Sequence, residues 1–255
     1  MMNSTRNLLN IKLFSQEFND PAKPVLDLEE GKLIAQMYAR MENCISVLSD
    51  LKKRKSYIYY GAIAAQLGLE KTDPEVDSIW EDNLLQLINP EDMEKKIRLE
   101  LQFFQLLNAI SPEERTYFEA VTRLRLVRAN GNIVSLRHRL IYISSTAEGS
   151  ISLALCLYHR IFDHPDLGCP DALIINSQNG TVIDLNREKF GDILSEREKE
   201  ILQMIGYGLK SREISKKLAI SINTVNRHRQ NIFQKLNATN AIEACRIAEA
   251  TGLLK

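Results

Sequence analysis

Apolar and polar residues alternate at helical spacing in the first well-patterned part of the chain, residues 28–43. Apolar side chains repeat there at intervals of three and four, which predicts an amphipathic helix that ends near Asn43. Two short β-rich runs follow, CISVLSDL and SYIYY, on either side of the polar tip KKRK. These runs predict a β-hairpin, whereas residues 1–27 show no clear period.

Helical signals occupy the next segment of the chain. GAIAAQLGL predicts a short helix that ends near Gly68. An acidic stretch from Asp73 leads to Pro90, which is expected to open a helix that extends to about Leu107. Proline and acidic residues are both favourable in the first turn of a helix, and this supports the assignment.

Three strand-like runs follow, and they lie at residues 121–128, 133–144 and 151–159. The first two are joined by Asn130-Gly131, a strong hairpin signal. Alternation does not fix their register, and a bulged turn that places Leu126 opposite Leu136 is the preferred arrangement. The order of hairpin, short helices and three strands predicts an α+β domain, in which helices cover one face of an antiparallel sheet.

The remaining residues predict a second hairpin and a helical tail. Residues 172–185 are expected to turn at Asn179-Gly180 and to bridge the two parts of the chain. In the tail, polar residues stand where helix N-termini need caps: Ser195 with Glu198, Ser211, Ser221, and Asn240 with Glu243. These caps predict an all-α domain of four helices that ends at Gly252.

The composition is that of a soluble globular protein, with 44% hydrophobic and 26% charged residues in a chain of 255. This length suggests one large domain or two ordinary ones. The chain has no run of about 18 apolar residues and no secretory signal pattern, so a cytoplasmic protein without membrane contact is expected. The four cysteines form no C-x-x-C pair and are interpreted as reduced structural thiols, so no metal site is predicted.

Charge is unevenly distributed along a chain whose net charge is zero. Residues 187–255 contain 13 basic and 8 acidic residues, whereas the preceding part contains 20 basic and 25 acidic residues. A basic segment on an acidic body is typical of a protein in which one domain meets a polyanion. An excess of this size also occurs in domains with other partners, so it supports the interpretation only weakly.

One helix of the basic tail, within SINTVNRHRQNIFQKL at residues 221–236, has an unusual outer face. Its apolar residues form one stripe: Ile222, Val225, Ile232, Phe233 and Leu236. Amides and an arginine form another stripe: Asn223, Asn226, Arg227, Gln230 and Gln234. A short helix, a tight turn and a longer helix make a helix-turn-helix, whose second helix fits the major groove of DNA.

The helix-turn-helix supplies the predicted DNA contacts. Arginine can bind guanine and an amide can bind adenine with two hydrogen bonds, so the residues expected to read bases are Asn223, Asn226, Arg227 and Gln230. The residues expected to bind phosphates are Lys210, Arg212, Lys216, Lys217, Thr224 and Lys235. The alternative is that this face is simply solvated. His228 is interpreted as packed or phosphate-adjacent, and no catalytic residue is predicted.

Residues 194–253 resemble the LuxR-type (FixJ or NarL type) DNA-binding domain. The family pattern is matched by Leu194, Ser195, Arg197, Glu198, Glu200, Leu202, Gly208, Glu213, Ile214, Leu218, Ser221, Thr224, Val225, His228, Ile232, Lys235, Leu236, Glu243 and Ala244. The resemblance implies that Asn226, Arg227 and Gln230 read bases, that Thr224 and Lys235 bind phosphates, and that dimers form through the fourth helix. Asn237 and Ala241 depart from the Gly and Arg that are common in the family, and they leave the dimer geometry open.

The front part of the chain resembles a PAS domain in its order of hairpin, helices and three strands. The segment Asn89-Pro90-Glu91-Asp92 is similar to that family's H-P-D-D segment, and residues 128–131 are similar to its R-x-D-G turn. The resemblance implies a module that senses a ligand, light or redox state, or that dimerises. A phospho-receiver is not favoured, because the segment before residue 43 has no acidic pair behind a strand and the strand signals are antiparallel.

The sequence identifies no cofactor. The reactive-cysteine stretch of photoactive flavin domains is missing, His159 and His164 are poorly spaced for a metal pair, and haem ligation by a histidine stays open. Five aromatic residues are candidates for a pocket wall, although ordinary core packing is favoured: Tyr57, Tyr59, Trp80, Phe103 and Phe104. Four arginines are expected on the exposed sheet face: Arg123, Arg125, Arg137 and Arg139.

The sequence therefore predicts four parts: an N-terminal segment and helix (1–43), a PAS-like sensor domain (44–165), a hairpin linker (166–190) and a LuxR-type helix-turn-helix domain (191–255). The predicted function is that of a sequence-specific DNA-binding transcription regulator. Double-stranded DNA and a second copy of the chain are the expected partners, and RNA polymerase and a small-molecule ligand are candidates. The alternative is a small-molecule-processing enzyme in the front domain with a helical tail, although no nucleophile elbow, Walker loop or Rossmann fingerprint is present.

Overall fold

The computed structural model describes residues 2–18, 26–69, 74–128, 131–161, 172–183 and 194–254. The chain forms two compact units. The front unit comprises residues 1–103 and 110–184, and the C-terminal unit comprises residues 104–109 and 185–255. Within the described ranges, no helix is long and apolar enough to cross a membrane.

An antiparallel sheet dominates the front unit. Its strands are β1 (Ile45–Asp50), β2 (Lys55–Tyr60), β3 (Glu75–Val76), β4 (Phe118–Val127), β5 (Ile133–Ser145), β6 (Ile151–Arg160), β7 (Ala172–Asn176) and β8 (Val182–Ile183). They lie side by side in the order β3-β2-β1-β6-β5-β4-β7-β8, and neighbouring strands are antiparallel. The predicted hairpin β1–β2 and the three successive strands β4, β5 and β6 are confirmed.

The helices of this part of the chain are α1 (Met2–Phe14), α2 (Leu28–Met41), α3 (Ile63–Leu67), α4 (Asp82–Leu85) and α5 (Pro90–Asn108). A 3₁₀ turn at Arg115–Tyr117 leads into β4. The predicted helices α2, α3 and α5 are confirmed, and α3 ends at Gly68, which adopts a left-handed φ of 73°. Helix α1 lies in a segment for which the sequence shows no period.

Helix α2 packs on one face of the sheet. Asp27 caps its N-terminus by accepting a hydrogen bond from the Glu30 N–H, and the Glu30 carboxylate accepts one from the Asp27 N–H. Gly31 allows close approach to the strands, because a Cβ there would lie 3.1 Å from Leu153 Cδ1 and 3.2 Å from Leu48 Cδ2. These contacts fix the helix over β1 and β6.

The opposite face of the sheet is also covered, so the prediction that helices cover one face is wrong. Leu9 and Leu13 of α1 lie beside Trp80, Tyr142 and residues of α5 in one layer. Both layers bury apolar surface, since the strands β1 and β6 are buried along nearly their whole length. The prediction failed because near-continuous apolar strands need cover on two sides, and α1 supplies the second.

The aromatic residues proposed as a pocket wall are divided between the two faces. Tyr57 and Tyr59 pack against the cluster under α2. Trp80 lies on the other face, where the ring of Phe103 stacks on Tyr142 with centroids 5.4 Å apart. Tyr57, Tyr59 and Phe103 therefore belong to core packing on the two faces, whereas Trp80 also lines a small pocket.

The segment that resembles the PAS H-P-D-D motif ties α5 to β4. Asn89 accepts a hydrogen bond from the Glu91 N–H, and Pro90 opens the helix. The Arg125 side chain donates to both oxygens of Asp92 at 2.8 Å, and the Arg125 N–H donates to Oδ2 at 2.8 Å. Burial raises the pKa of Asp92, but the bonds from Arg125 outweigh it and hold that pKa below its ordinary value.

The register of β4 and β5 differs from the prediction. Leu124 lies opposite Leu136 and Leu126 lies opposite Val134, so the preferred pairing of Leu126 with Leu136 is wrong. The predicted and the observed registers differ by a shift of two residues, and such a shift keeps every side chain on the same face of the sheet. The alternation of apolar and polar residues therefore cannot distinguish the two registers. Among the turn residues, Asn130 lies outside the described part and Gly131 adopts a φ of 80°.

The second predicted hairpin is present, but it is not a free linker. Strand β7 pairs with the first half of β4, and β8 pairs with β7, so both belong to the sheet of the front unit. Asn176 accepts hydrogen bonds from the N–H groups of Gln178 and Asn179, and Gly180 has a φ of 73°. The rest of the predicted linker, residues 166–171 and 184–190, lies outside the described residues.

The C-terminal unit is helical. Its helices beyond residue 194 are α6 (Glu196–Gly206), α7 (Ser211–Lys217), α8 (Ile222–Lys235) and α9 (Ala241–Thr251). Ser195 and Asn240 cap α6 and α9 as predicted, and Gly252 ends α9 with a φ of 79°. Ser211 is not a cap but the first helical residue of α7, where the Lys210 N–H donates to the Glu213 carboxylate.

Candidate DNA-binding interface

Helices α7 and α8 are joined by a tight turn. Ala219 adopts a left-handed φ of 52°, and the Ile220 N–H donates to the carbonyl of Ser215. Ser221 then caps α8, because its hydroxyl accepts a hydrogen bond of 3.0 Å from the Thr224 N–H. The predicted cap of α8 is confirmed, and it fixes where this helix begins relative to α7.

Helix α8 has a buried side and an exposed side. Val225, Ile232 and Leu236 are buried in the core of the unit, as their stripe predicts. Ile222 departs from this stripe, since it lies in the first turn and 44% of its surface is exposed. An apolar side chain is therefore presented to solvent at the end of α8 that enters the groove in a helix-turn-helix.

The polar stripe of α8 faces solvent. The four side chains predicted to read bases are all exposed: Asn223, Asn226, Arg227 and Gln230. None of these four makes a side-chain hydrogen bond to another described residue, and none has a salt bridge there. Amide and guanidinium groups on one exposed side of a capped helix have the donor and acceptor chemistry that base edges require.

The residues predicted to bind phosphates do not form one uniform set. Lys210, Arg212, Lys216, Lys217 and Thr224 are exposed on α7 and at the start of α8. The Lys235 ammonium, in contrast, donates to the Glu198 carboxylate at 2.7 Å. Lys235 thus has a partner inside the unit, which reduces its free charge, and its assignment to phosphate stays a prediction.

Glu198 is a structural centre of this unit. Its carboxylate accepts hydrogen bonds from the Ser195 N–H at 2.8 Å and from Lys235, so it joins the start of α6 to the end of α8. Burial raises the pKa of Glu198, but these bonds outweigh burial and hold the pKa below its ordinary value of 4.5. The carboxylate is therefore ionised at neutral pH and holds α8 in place.

The end of α8 explains one departure from the family pattern. Asn237, at the position where glycine is common, adopts a left-handed φ of 46°. Asparagine tolerates this conformation better than other residues with a side chain, so the chain can leave the helix in the same way. The Ala238 N–H then donates to the carbonyl of Phe233.

The structure also shows the surroundings of two further residues of α8, His228 and Arg229. The His228 Nδ1 is buried and has no hydrogen-bond partner among the described residues, in line with the packed interpretation of this residue. Arg229 was not among the predicted site residues. Its guanidinium carbon lies 5.8 Å from the centroid of the ring of Phe233, a residue of the apolar stripe.

A metal centre is not indicated in the described residues. They contain no group of three or more His, Cys, Asp and Glu side chains arranged to hold a metal ion. Cys44 and Cys156 are buried and free, and burial raises the pKa of the Cys44 thiol to about 12.

Comparison with known proteins identifies the C-terminal segment. Residues 192–248 match the family described as "Bacterial regulatory proteins, luxR family". The regulatory protein SdiA of Escherichia coli K12 is 48% identical over 60 residues, which are 24% of this chain and 25% of SdiA. The quorum-sensing regulator RhlR of Pseudomonas aeruginosa is 48% identical over 61 residues, which are 24% of this chain and 25% of RhlR.

A third relative, the transcriptional regulatory protein YxjL of Bacillus subtilis 168, is 35% identical over 68 residues, 27% of this chain and 31% of YxjL. The chain thus spans less than a third of the length of these relatives.

Similarity to solved structures is weak over the whole chain. The crystal structure of the phage VqmA-DPO complex has 15% sequence identity and a TM-score of 0.28, over 89% of this chain and 91% of that one. A crystal structure of Escherichia coli SdiA has 20% identity and a TM-score of 0.30, over 100% of both chains. The family match covers the C-terminal segment alone: residues 192–248, which include the helix-turn-helix of α7 and α8, are similar to the luxR family of bacterial regulatory proteins.

Proposed function

We propose that this chain is a sequence-specific DNA-binding transcription regulator. The observation that carries the proposal is the exposed stripe of Asn223, Asn226, Arg227 and Gln230 on α8, in a segment that matches the luxR family. The short helix α7 and the tight turn at Ala219 hold this stripe outward. The third helix of the tail would enter the major groove and read bases there.

The basic residues around α7 would supply sequence-independent affinity. Lys210, Arg212, Lys216 and Lys217 are exposed, and each phosphate that they neutralise releases counterions. Thr224 and Lys235 are the further phosphate contacts that the family resemblance implies, and Lys235 would act while it is bonded to Glu198. Affinity should therefore fall as the salt concentration rises.

The front unit would be the regulatory part. Its order of β-hairpin, helices and three antiparallel strands supports a PAS-like module that senses a signal or dimerises. A signal can act only by favouring one arrangement of two DNA-binding domains over another. We therefore propose a cytoplasmic homodimer, with RNA polymerase as a partner at the promoter.

Selection of bound sequences from a random duplex pool tests this function. The full chain should enrich one motif, and a symmetric dimer should enrich two half-sites about one helical turn apart. The variant Arg227→Glu/Gln230→Glu serves as a matched control. Both positions are exposed, so the fold should persist, while two carboxylates would repel the phosphates. Failure of the wild-type chain to enrich any motif over the starting pool would contradict the proposal.

A further inference from the structure

Two charged side chains lie in the core of the front unit, between α5 and the sheet. Lys96 and Glu100 stand one turn apart on α5, and their side chains are only 1% and 5% exposed. The Lys96 ammonium donates to Glu100 Oε1 at 2.6 Å. A buried ion pair of this kind is often no more stabilising than two apolar residues of the same volume, so stability alone does not account for it.

Further polar groups surround this pair. Glu81 is buried and accepts a hydrogen bond from the Tyr158 hydroxyl. The ring of His138 lies 4.7 Å from that of Tyr158, and its Nε2 lies 3.9 Å from Glu100 Oε1. His138 is 1% exposed, yet neither of its ring nitrogens has a hydrogen-bond partner among the described residues. Such an unpaired buried group is costly unless a ligand or ordered water bonds to it.

A small pocket opens beside the Lys96–Glu100 pair, and the residues that line it do not include His138 or Tyr158. Its volume is about 30 Å³, and its polar lining consists of Lys96, Glu100, Glu81 and Ser49. Trp80, Tyr142, Cys156 and the α1 residues Leu9 and Leu13 form the less polar walls. A volume of this size holds roughly two water molecules, so a molecule with only a few non-hydrogen atoms fits without a large rearrangement.

Charges of both signs border the pocket. The carboxylates of Glu81 and Glu100 lie near the ammonium of Lys96, whereas the guanidinium of Arg6 is not part of the lining. Both cations lie against the Trp80 ring, 5.6 Å and 4.6 Å from its centroid respectively. Arg6 also pairs with Asp82, which is exposed. Burial lowers the pKa of His138 well below its ordinary value of 6.5, with a smaller contribution from Lys96, so the imidazole is neutral at pH 7. An anionic guest would meet the carboxylates of Glu81 and Glu100, and a cationic guest would meet the ammonium of Lys96.

The hydrogen-bonding capacity around the pocket is mixed. Lys96 has three N–H donors, of which one is used by Glu100 in the described structure. Each carboxylate has several lone-pair sites that can accept hydrogen bonds. A complementary molecule must therefore both accept from Lys96 and donate to a carboxylate within a few ångströms.

We infer that this pocket binds a compact, uncharged molecule with a hydrogen-bond donor and an acceptor on neighbouring atoms, as in a small amide or a hydroxyketone. Lys96 donates to the acceptor of the guest, Glu81 or Glu100 accepts from its donor, and Trp80 and Tyr142 contact its apolar part. The regulatory meaning of this site rests on the proposed function, whereas binding itself does not.

The test measures thermal unfolding of the full chain with four probes of similar size: acetamide, hydroxyacetone, acetate and ethylammonium. The two uncharged probes should raise the midpoint of unfolding in a saturable way, because they bind the folded state. The two ions should give no saturable rise. Equal effects of all four probes, or a preference for either ion, would overturn the inference.

Variants locate the binding. The double variant Lys96→Met/Glu100→Leu removes both members of the ion pair together, so neither of these two charges is left without the other and the chain should fold. It should need about tenfold more acetamide or hydroxyacetone for the same shift, since it loses charge-assisted hydrogen bonds. Lys95→Met is the matched control, because Lys95 lies on the same helix with its side chain 50% exposed. An unchanged response of the double variant would also overturn the inference.

Duplex selection separates this inference from the proposed function. A chain that enriches a DNA motif but shows no saturable response to the uncharged probes refutes only the pocket. A chain that responds to the probes but enriches no motif refutes only the proposed regulator.

Discussion

At the scale of single residues, side-chain chemistry on α8 carries most of the argument. Asn226, Arg227 and Gln230 stand where an ordinary surface helix would carry Glu and Lys, and the structure leaves all three exposed. An arginine in this position can make two parallel hydrogen bonds to guanine from its planar guanidinium, and an alanine can make neither. Arg227 is therefore the most informative single position in the interface.

Replacement of Arg227 by Ala should weaken binding to the selected site by about 1–3 kcal/mol and relax the base preference at one position. Binding isotherms on the selected duplex and on single-base variants of it measure both effects. Arg246→Ala is the control, because Arg246 is exposed on α9 and lies outside the stripe. An equal loss of affinity on random duplexes would show that Arg227 contacts phosphate instead.

Some residue environments could not be predicted from the sequence. Lys235 matches a phosphate-binding position by type, but its bond to Glu198 joins residues 37 positions apart, which no local pattern reveals. Ile222 falls on the apolar stripe by spacing and is nevertheless exposed, because the helix begins there and the core does not extend to its first turn. Helical periodicity predicts which side of the helix a residue occupies, but it does not predict how far along the helix the neighbouring helices extend.

At the scale of elements, one ion pair joins two helices of the DNA-binding domain. Glu198 belongs to the first turn of α6 and Lys235 to the last turn of α8, so their bond and the bond from Ser195 hold the two helices together. The pKa of Glu198 is depressed in the folded state. Its contribution to stability is therefore present above the unfolded pKa and is lost as the pH falls through that value towards the folded one.

Replacement of Glu198 by Gln should lower the midpoint of thermal unfolding of the C-terminal unit at pH 7, because a neutral amide leaves Lys235 without its counter-charge. The difference from the wild type should shrink as the pH falls below the ordinary Glu pKa of 4.5, where Glu198 of the unfolded chain becomes protonated. Circular dichroism melts at several pH values measure this. Glu200→Gln is the control on the exposed side of α6. If the difference in unfolding midpoint between the wild type and Glu198→Gln does not change with pH, the destabilisation comes from altered packing and not from loss of the ion pair.

Most elements could be predicted where their periodicity is strong. Helix α2, the hairpin β1–β2 and the strand β6 each have a clear pattern or a continuous apolar run, and each is present. Helix α1 was missed, because an exposed Ile11 and a buried Lys12 break the pattern set by the buried Leu8, Leu9 and Leu13. The hairpin β7–β8 was predicted as an element, but its role as part of the sheet depends on pairing with residues of β4 that lie 50 to 58 positions earlier in the chain.

At the scale of the whole molecule, the two parts of the chain differ both in net charge and in fold. The acidic front part contains the antiparallel sheet, and the basic residues concentrate in the helical tail. Coulombic attraction to DNA should therefore come from the C-terminal unit, while the front unit should add little or oppose it.

Removal of residues 187–255 should abolish binding to duplex DNA, because every predicted base and phosphate contact is lost with them. Fluorescence anisotropy of a labelled duplex at low and moderate salt measures this loss, with the full chain as reference. Any residual binding should be weak and strongly reduced by salt. Tight binding by the remaining residues would show that the front unit also recognises DNA.

The short strands at both ends of the sheet have a consequence for self-association. β3 and β8 contain two residues each, so the described sheet offers few unpaired backbone groups that could template a strand from another molecule. Copies of this chain should therefore associate through side chains rather than by extending a continuous ladder. Concentrated samples of this protein should therefore form fibrils less readily than a protein whose sheet has the same number of strands but long, unpaired edge strands.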